Sequence, residues 1–264
     1  MIVYEDSKRC FVEDIKSNCI ADKITAKIRE RGINAGHERE YISWQNSLQF
    51  MRNIVDDNDI DDEVRIAIEY NIPLTSKRVD FIICGADANN NDNVVVVELK
   101  QWQKAEVVAD DMHYCVKTFV GRNNRIVCHP SYQAYSYACF IRNYSQTVLD
   151  DGINLIPCAY LHNYDPDFKQ TLSNSIYKEW VSEAPFFIRN ETEQFSAFVK
   201  KYVTRRSSNG DLLYEIDHGR LKPTKALQDS LTSMVKGNKE FMLLDEQAVC
   251  YDMCLKTMAK CKED

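Results

Sequence analysis

Arg78-Val79-Asp80-Phe81-Ile82-Ile83-Cys84 and Val94-Val95-Val96-Val97-Glu98-Leu99-Lys100 are two apolar runs separated by Ala88-Asn89-Asn90-Asn91-Asp92-Asn93. Branched and aromatic residues favour the pleated strand, and an Asn-rich stretch favours a turn, so the pair predicts a β-hairpin. Four successive valines leave no polar face, as expected of a strand covered on both sides. Working outward, residues 65–74 read as a preceding strand ended by Pro73, and Ile153 to Leu161 as a following one. A helix is expected over 11–31. Another is expected from Glu38 to about Val55, with Ile42, Leu48 and Met51 among its apolar positions. Residues 105–128 are expected to contain a helix, with a short strand at Arg125–Cys128. His129-Pro130-Ser131 marks a helix start, because proline at the first helical position lacks an N–H that would be unpaired there anyway. That helix is expected to reach about Val148.

Helix, three strands, helix, strand is an α/β order in which helices flank a mixed sheet. The expected division is a core over residues 1–165 and a mostly helical annex over 166–264. The annex carries one short apolar run, Pro185-Phe186-Phe187-Ile188, and two helices in 222–262 joined near Gly237.

Side chains on a strand alternate between faces. Glu98 and Lys100 therefore share one side, Leu99 turns to the core, and Asp80 on the neighbouring strand can reach the same spot. Two carboxylates and an amine suit phosphodiester hydrolysis. Carboxylate oxygens hold Mg²⁺ or Mn²⁺, and a lysine orients water or stabilises charge building on the phosphate. The plainer alternative is an ordinary surface pair at a strand end. Lys77, Arg78, Lys104, Arg122 and Arg125 are candidate contacts for a nucleic-acid backbone, or plain solvated charges. His129 reads as a cap or core residue ahead of a phosphate contact. His113, beside Asp110 and Asp111, reads as a surface residue rather than a metal ligand.

Asp80…Glu98-Leu99-Lys100 resembles the signature of the PD-(D/E)XK nucleases. Gln133-Ala134-Tyr135-Ser136-Tyr137 resembles the Q-x-x-x-Y motif of RecB-type members, and Glu40 ahead of Ser43-Trp44 resembles the helix glutamate that completes their acidic set. With Gln101-Trp102 and His129-Pro130, these motifs resemble the nuclease region found N-terminal to Schlafen-like superfamily 1 helicases in bacterial nuclease–helicase proteins. Phe241-Met242-Leu243-Leu244-Asp245-Glu246-Gln247 is similar to the segment just before their ATPase.

The resemblance implies a restriction-endonuclease-like core, α-β-β-β-α-β, and a Mg²⁺- or Mn²⁺-dependent deoxyribonuclease. It implies catalytic Asp80, Glu98, Lys100 and Glu40, metal ligation by Asp80, Glu98 and Glu40, and substrate contacts from Gln133, Tyr137 and Arg78. Gln133 and Tyr137, four apart, share a helix face. Glu38 and Glu69 are alternatives to Glu40. The implied partners are nucleic acid, DNA ahead of RNA, and a helicase or ATPase domain or subunit, with a role in defence against foreign nucleic acid. No G-x-x-x-x-G-K-[ST] phosphate loop is present, so helicase activity is not implied for this chain. The alternatives are an inactive nucleic-acid- or partner-binding module and an RNA-directed nuclease. Some RecB-type nucleases carry an iron–sulfur cluster. Cys250, Cys254 and Cys261 with Cys10 or Cys19 would serve as ligands, against the plainer reading of three thiols along one amphipathic helix.

The bulk composition limits these readings. The 264 residues are 44% hydrophobic and 28% charged, a globular balance. A net charge of −7 is unusual for a non-specific nucleic-acid binder, although a local basic stripe can still hold a phosphate backbone. The acidic stretch Asp56–Glu63 reads as a solvated loop. Ten cysteines without a C-x-x-C pair, several of them inside apolar runs (Cys84, Cys139, Cys158), fit reduced buried thiols. No run approaches the roughly twenty apolar residues of a membrane span. The first residues lack a secretory pattern, so a cytoplasmic location is expected.

Overall fold

A computed structural model describes residues 1–31, 38–73, 75–108, 112–220 and 243–263. The chain opens with β1 (Ile2–Ser7), α1 (Lys8–Lys16), α2 (Ile20–Glu30) and α3 (Glu38–Val55). Next come β2 (Arg65–Asn71), β3 (Arg78–Ala86), β4 (Asp92–Leu99), β5 (Ala105–Val107), β6 (Cys115–Val120) and β7 (Asn123–Cys128). Then follow α4 (Pro130–Tyr144), α5 (Gln146–Asp150), β8 (Asn154–Leu161), α6 (Lys169–Leu172) and α7 (Lys178–Glu183). The remaining elements are β9 (Phe186–Ile188), α8 (Thr192–Tyr202), α9 (Leu212–His218) and α10 (Glu246–Glu263).

The chain is α/β. Six strands form a mixed sheet in the order β1-β2-β3-β4-β8-β9, and helices cover both faces. β1 to β4 run antiparallel, whereas β8 pairs parallel to β4 and β9 parallel to β8. The apolar runs explain why the hairpin is central. Phe81, Ile83, Val95 and Val97 pack against Phe11, Ile24, Leu48, Met51 and Phe195 on one face. Ile82, Cys84, Val94 and Val96 pack against Tyr137, Ile141, Val148 and Leu213 on the other. β9 and α8, although late in the chain, extend this sheet and its core.

Several expected elements are corrected. The opening strand β1 was not read, and it pairs along β2 with Tyr4 opposite Ile68. The helix expected over 11–31 is two helices. Ser7 caps α1 by accepting from the Cys10 N–H, and Asn18, at φ +53°, ends the run before α2. Left-handed backbone of this kind breaks a helix, and asparagine tolerates it well. The expected helix within 105–128 is instead a separate three-stranded sheet, β5-β6-β7. Its tight turn is Gly121-Arg122, with Val120 opposite Asn123, and both turn residues have positive φ. Two-residue turns of that geometry match the twist of paired strands, which selects a hairpin over a helix. The helix starting at Pro130 ends at Tyr144 rather than near Val148. Ser145 starts α5 by accepting from the Val148 N–H. His129 caps α4 through the Ser131 N–H and is fully buried, as read. The two helices expected in 222–262 fall partly outside the described residues, whereas α10 lies within them. Among the described residues no helix is long and apolar enough to cross a membrane.

The end of β3 is held by close backbone packing. A Cβ on Gly85 would lie 2.4 Å from the Arg205 carbonyl oxygen and 2.9 Å from Val203 Cγ1. The Ala86 N–H donates to that same carbonyl at 2.8 Å. Gly85→Ala should therefore cost about 1–3 kcal/mol, the usual range for overpacking a close-packed site. Thermal unfolding followed by circular dichroism checks this, and an unchanged melting temperature would contradict it.

Candidate active site

The alternation of faces breaks at one level of the sheet. In β2, Ile66 and Ile68 face α3, yet Tyr70 joins the opposite core with Ala67. In β3, Phe81 and Ile83 face α3, yet Val79 joins the opposite core with Ile82. Strict two-residue periodicity forbids both pairs. The break centres on Glu69, whose φ is +57°, and which with Asp80 lies between the paired Ile68–Phe81 and Tyr70–Val79. For a residue other than glycine this backbone carries a cost and is held by its surroundings. Glu69 and Asp80 both line a cleft of about 330 Å³ beside α3, together with Glu40, Ser43, Trp44, Ser47, Lys77 and Arg78.

Glu98 stands at the end of β4, 3% exposed. Its Oε1 pairs with the Lys100 ammonium at 2.5 Å. Its Oε2 is buried and has no hydrogen-bond partner among the described residues. Asp80 is tied to the same strand end, because its Oδ2 accepts from the Leu99 N–H at 2.8 Å. Burial and the adjacent Asp80 push Glu98 well above the ordinary carboxyl range. Burial also raises Asp80, with Lys100 acting in the opposite sense. Burial lowers the Lys100 affinity for its proton, but Glu98 and Asp80 outweigh that and hold the ammonium charged. The expected trio of Asp80, Glu98 and Lys100 is thus brought together.

The remaining candidates divide into two groups around it. On the α3 side, Arg78 bridges Glu40 (Nη2–Oε1, 3.0 Å) and Glu69 (Nη1–Oε2, 3.0 Å). Trp44 Nε1 donates to Glu69 Oε1 at 2.7 Å. Glu69, weighed only as an alternative to Glu40, is the more buried of the two and interacts directly with Asp80. Burial and then the Asp80 charge raise it to about 7. A continued β4 would turn Gln101 away from Lys100. The strand instead stops at Leu99, and Gln101 Nε2 donates to Ser43 Oγ (2.7 Å) and Ser47 Oγ (3.0 Å). Ser47 in turn contacts His162 Nε2 at 3.1 Å, and that imidazole stacks on Phe50. Burial lowers the His162 pKa, so the ring is held neutral.

On the α4 side, Gln133 Nε2 donates to Tyr137 Oη at 3.0 Å, so the two share a helix face as expected. Tyr137 Oη donates to Asp245 Oδ2 at 2.6 Å, and Lys77 Nζ lies 2.9 Å from the same oxygen. Asp245 belongs to the Phe241–Gln247 motif and is an addition to the site residues that the sequence suggests. Its approach from the C-terminal segment had no local sequence signal.

Trp102 packs beside the second sheet. The His113 carbonyl accepts from Trp180 Nε1, and its neighbours Asp110 and Asp111 lie outside the described residues. Cys84, Cys139 and Cys158 are buried free thiols, whereas Cys250, Cys254 and Cys261 are exposed on α10. Among the described residues no three His, Cys, Asp or Glu side chains are grouped to hold a metal ion.

No family model, curated protein or solved structure matches the chain.

Glu69 gives a pH test. Its carboxyl holds a proton to about pH 7 in the fold, against about 4.5 in an unfolded chain. Between these values the folded protein binds more protons than the unfolded one. Stability therefore falls as pH rises through that window and levels off above it. Glu69→Gln should flatten this decline, as read by melting temperatures from pH 5 to 8. Parallel curves for both proteins would contradict the assignment.

Proposed function

We propose that the chain is a divalent-cation-dependent nuclease of the PD-(D/E)XK type, with a restriction-endonuclease-like core, hydrolysing phosphodiester bonds in DNA. The observation that carries this reading is the Asp80–Glu98–Lys100 group, built around the buried Glu98, at the end of the central strands. The sequence resemblance to this nuclease class and to the Q-x-x-x-Y motif supports it. So does the position of Gln133 and Tyr137 on the helix beside the group.

The donor set suits a hard cation. The adjacent carboxyls of Asp80 and Glu98 repel each other when both are ionised, and Glu98 Oε2 has no hydrogen-bond partner among the described residues. Asp80 and Glu98 would hold Mg²⁺ or Mn²⁺, with water and substrate oxygens completing the shell, as small hard cations prefer. When bound, such an ion withdraws electron density from the phosphoryl group and favours ionisation of water.

The chain's own residues supply the rest. Lys100, kept cationic by Glu98 and Asp80, offers N–H donors to charge that accumulates on the phosphate. Arg78 holds Glu40 and Glu69 in place and lines the cleft that would take the substrate. Gln101, anchored on Ser43 and Ser47, fixes the chain beyond Lys100 against α3. A precisely held lysine is what preorganised electrostatic stabilisation requires. Defence against foreign nucleic acid, with a helicase or ATPase partner, is the biological setting that the resemblance suggests.

Purified protein incubated with single-stranded DNA, duplex DNA and RNA, with Mg²⁺ or Mn²⁺ and with EDTA, tests the reading. Cation-dependent cleavage of DNA is expected. Asp80→Ala, Glu98→Ala and Lys100→Ala should each reduce it by roughly a hundredfold or more, as losing one preorganised charge-stabilising group does. Mn²⁺ should also raise the melting temperature of the wild type and not of Glu98→Gln, because a ligand stabilises only a fold that binds it. Activity that survives all three alanine variants would refute the assignment. Nucleic-acid binding without cleavage would favour an inactive module, and cleavage confined to RNA an RNA-directed enzyme.

A further inference from the structure

We propose that Lys77 and Tyr137 form a subsite for a phosphodiester oxygen beside Glu98 and Lys100, and that Asp245 fills this subsite in competition with the substrate. The inference rests on the nuclease reading.

The subsite consists of donors. The Lys77 ammonium and the Tyr137 hydroxyl both address Asp245 Oδ2, at 2.9 and 2.6 Å. Gln133 Nε2 donates to Tyr137 Oη, which leaves the hydroxyl proton to point at the carboxylate. A carboxylate oxygen and a non-bridging phosphate oxygen carry charge of the same sign and accept the same donors. Asp245 is therefore a chemical stand-in for the substrate anion.

Its position is unfavourable in three respects. Its backbone is left-handed, with φ +41°, and its Oδ1 is buried without a hydrogen-bond partner among the described residues. It also adds negative charge next to Glu98, which already stands beside Asp80. A residue with only a packing role has no reason to bring a third carboxylate to two others.

The segment is seated by contacts away from the subsite. Tyr132 Oη donates to the Leu243 carbonyl at 2.8 Å. Leu244 is buried in the α4-side core, and Ala248 packs near Tyr132 and Trp180. The Tyr114 N–H donates to Asp252 Oδ2 at 2.8 Å. Lys77 also pairs with Glu246, so the start of α10 draws on the same ammonium. Withdrawal of residues 243–252 would free Lys77 and Tyr137 together.

Fluorescence anisotropy with a short labelled single-stranded DNA, in Ca²⁺ to hold binding without turnover, tests the proposal. Asp245→Asn should bind more tightly than wild type by roughly five- to tenfold, because affinity is reduced by the fraction of molecules whose site is closed. Tyr132→Phe, which loosens the seat without touching the subsite, should also tighten binding. Adding Lys77→Ala to Asp245→Asn should remove most of the gain. If Asp245→Asn and Tyr132→Phe both bind no more tightly than wild type, while wild type cleaves DNA in Mg²⁺, this inference alone is overturned. If wild type neither binds nor cleaves DNA, the nuclease reading falls and takes this one with it.

Discussion

A carboxyl group that is 3% exposed at the end of a central strand must find compensation for the water it has lost. Glu98 finds it on one oxygen only, in the Lys100 ammonium. The rest of the site follows from that constraint. Asp80 is drawn to the same strand end by the Leu99 N–H, and its charge makes Glu98 harder to ionise. Lys100 stays protonated because two carboxyls surround it. A buried ion pair of this kind is weak evidence for stability, since desolvation offsets most of the attraction. Strongly shifted, mutually coupled groups of this kind gather where proteins bind or react.

The backbone is bent to serve the same group. Regular strands would place Glu69 and Asp80 on faces set by strict alternation, and the left-handed turn at Glu69 breaks that rule in both strands at one level. The strain coincides with the cleft, with Arg78 and with Trp44, which together over-determine the conformation. Local strain held by its neighbours is common where a protein binds or reacts.

Two polar arms leave the central trio in opposite directions. One runs through Gln101 to Ser43, Ser47 and the neutral His162 on the α3 side. The other runs through Tyr137 to Asp245 and Lys77 on the α4 side. The first is made of uncharged groups joined by hydrogen bonds, so it acts as a brace. The second ends in a carboxylate with an unsatisfied oxygen, so it has an alternative partner to prefer.

Much of this was legible in the chain itself. The valine run and the Asn-rich turn determined a buried hairpin, because a strand with no polar face has nowhere else to go. The two-residue spacing put Glu98 and Lys100 on one side, and the four-residue spacing put Gln133 and Tyr137 on one helix face. Local periodicity did not reach the second sheet, whose Gly121-Arg122 turn carries a weak signal. Nor did it reach β1, whose pairing partner lies some sixty residues away. The place of Glu69 in the cleft beside Asp80 goes with a single unusual backbone angle, and the arrival of Asp245 depended on how a distant segment docks. Sequence spacing specifies which side chains share a face of one element. Only the packing of elements decides which faces meet, because that depends on the shapes and burial of residues far apart in the chain.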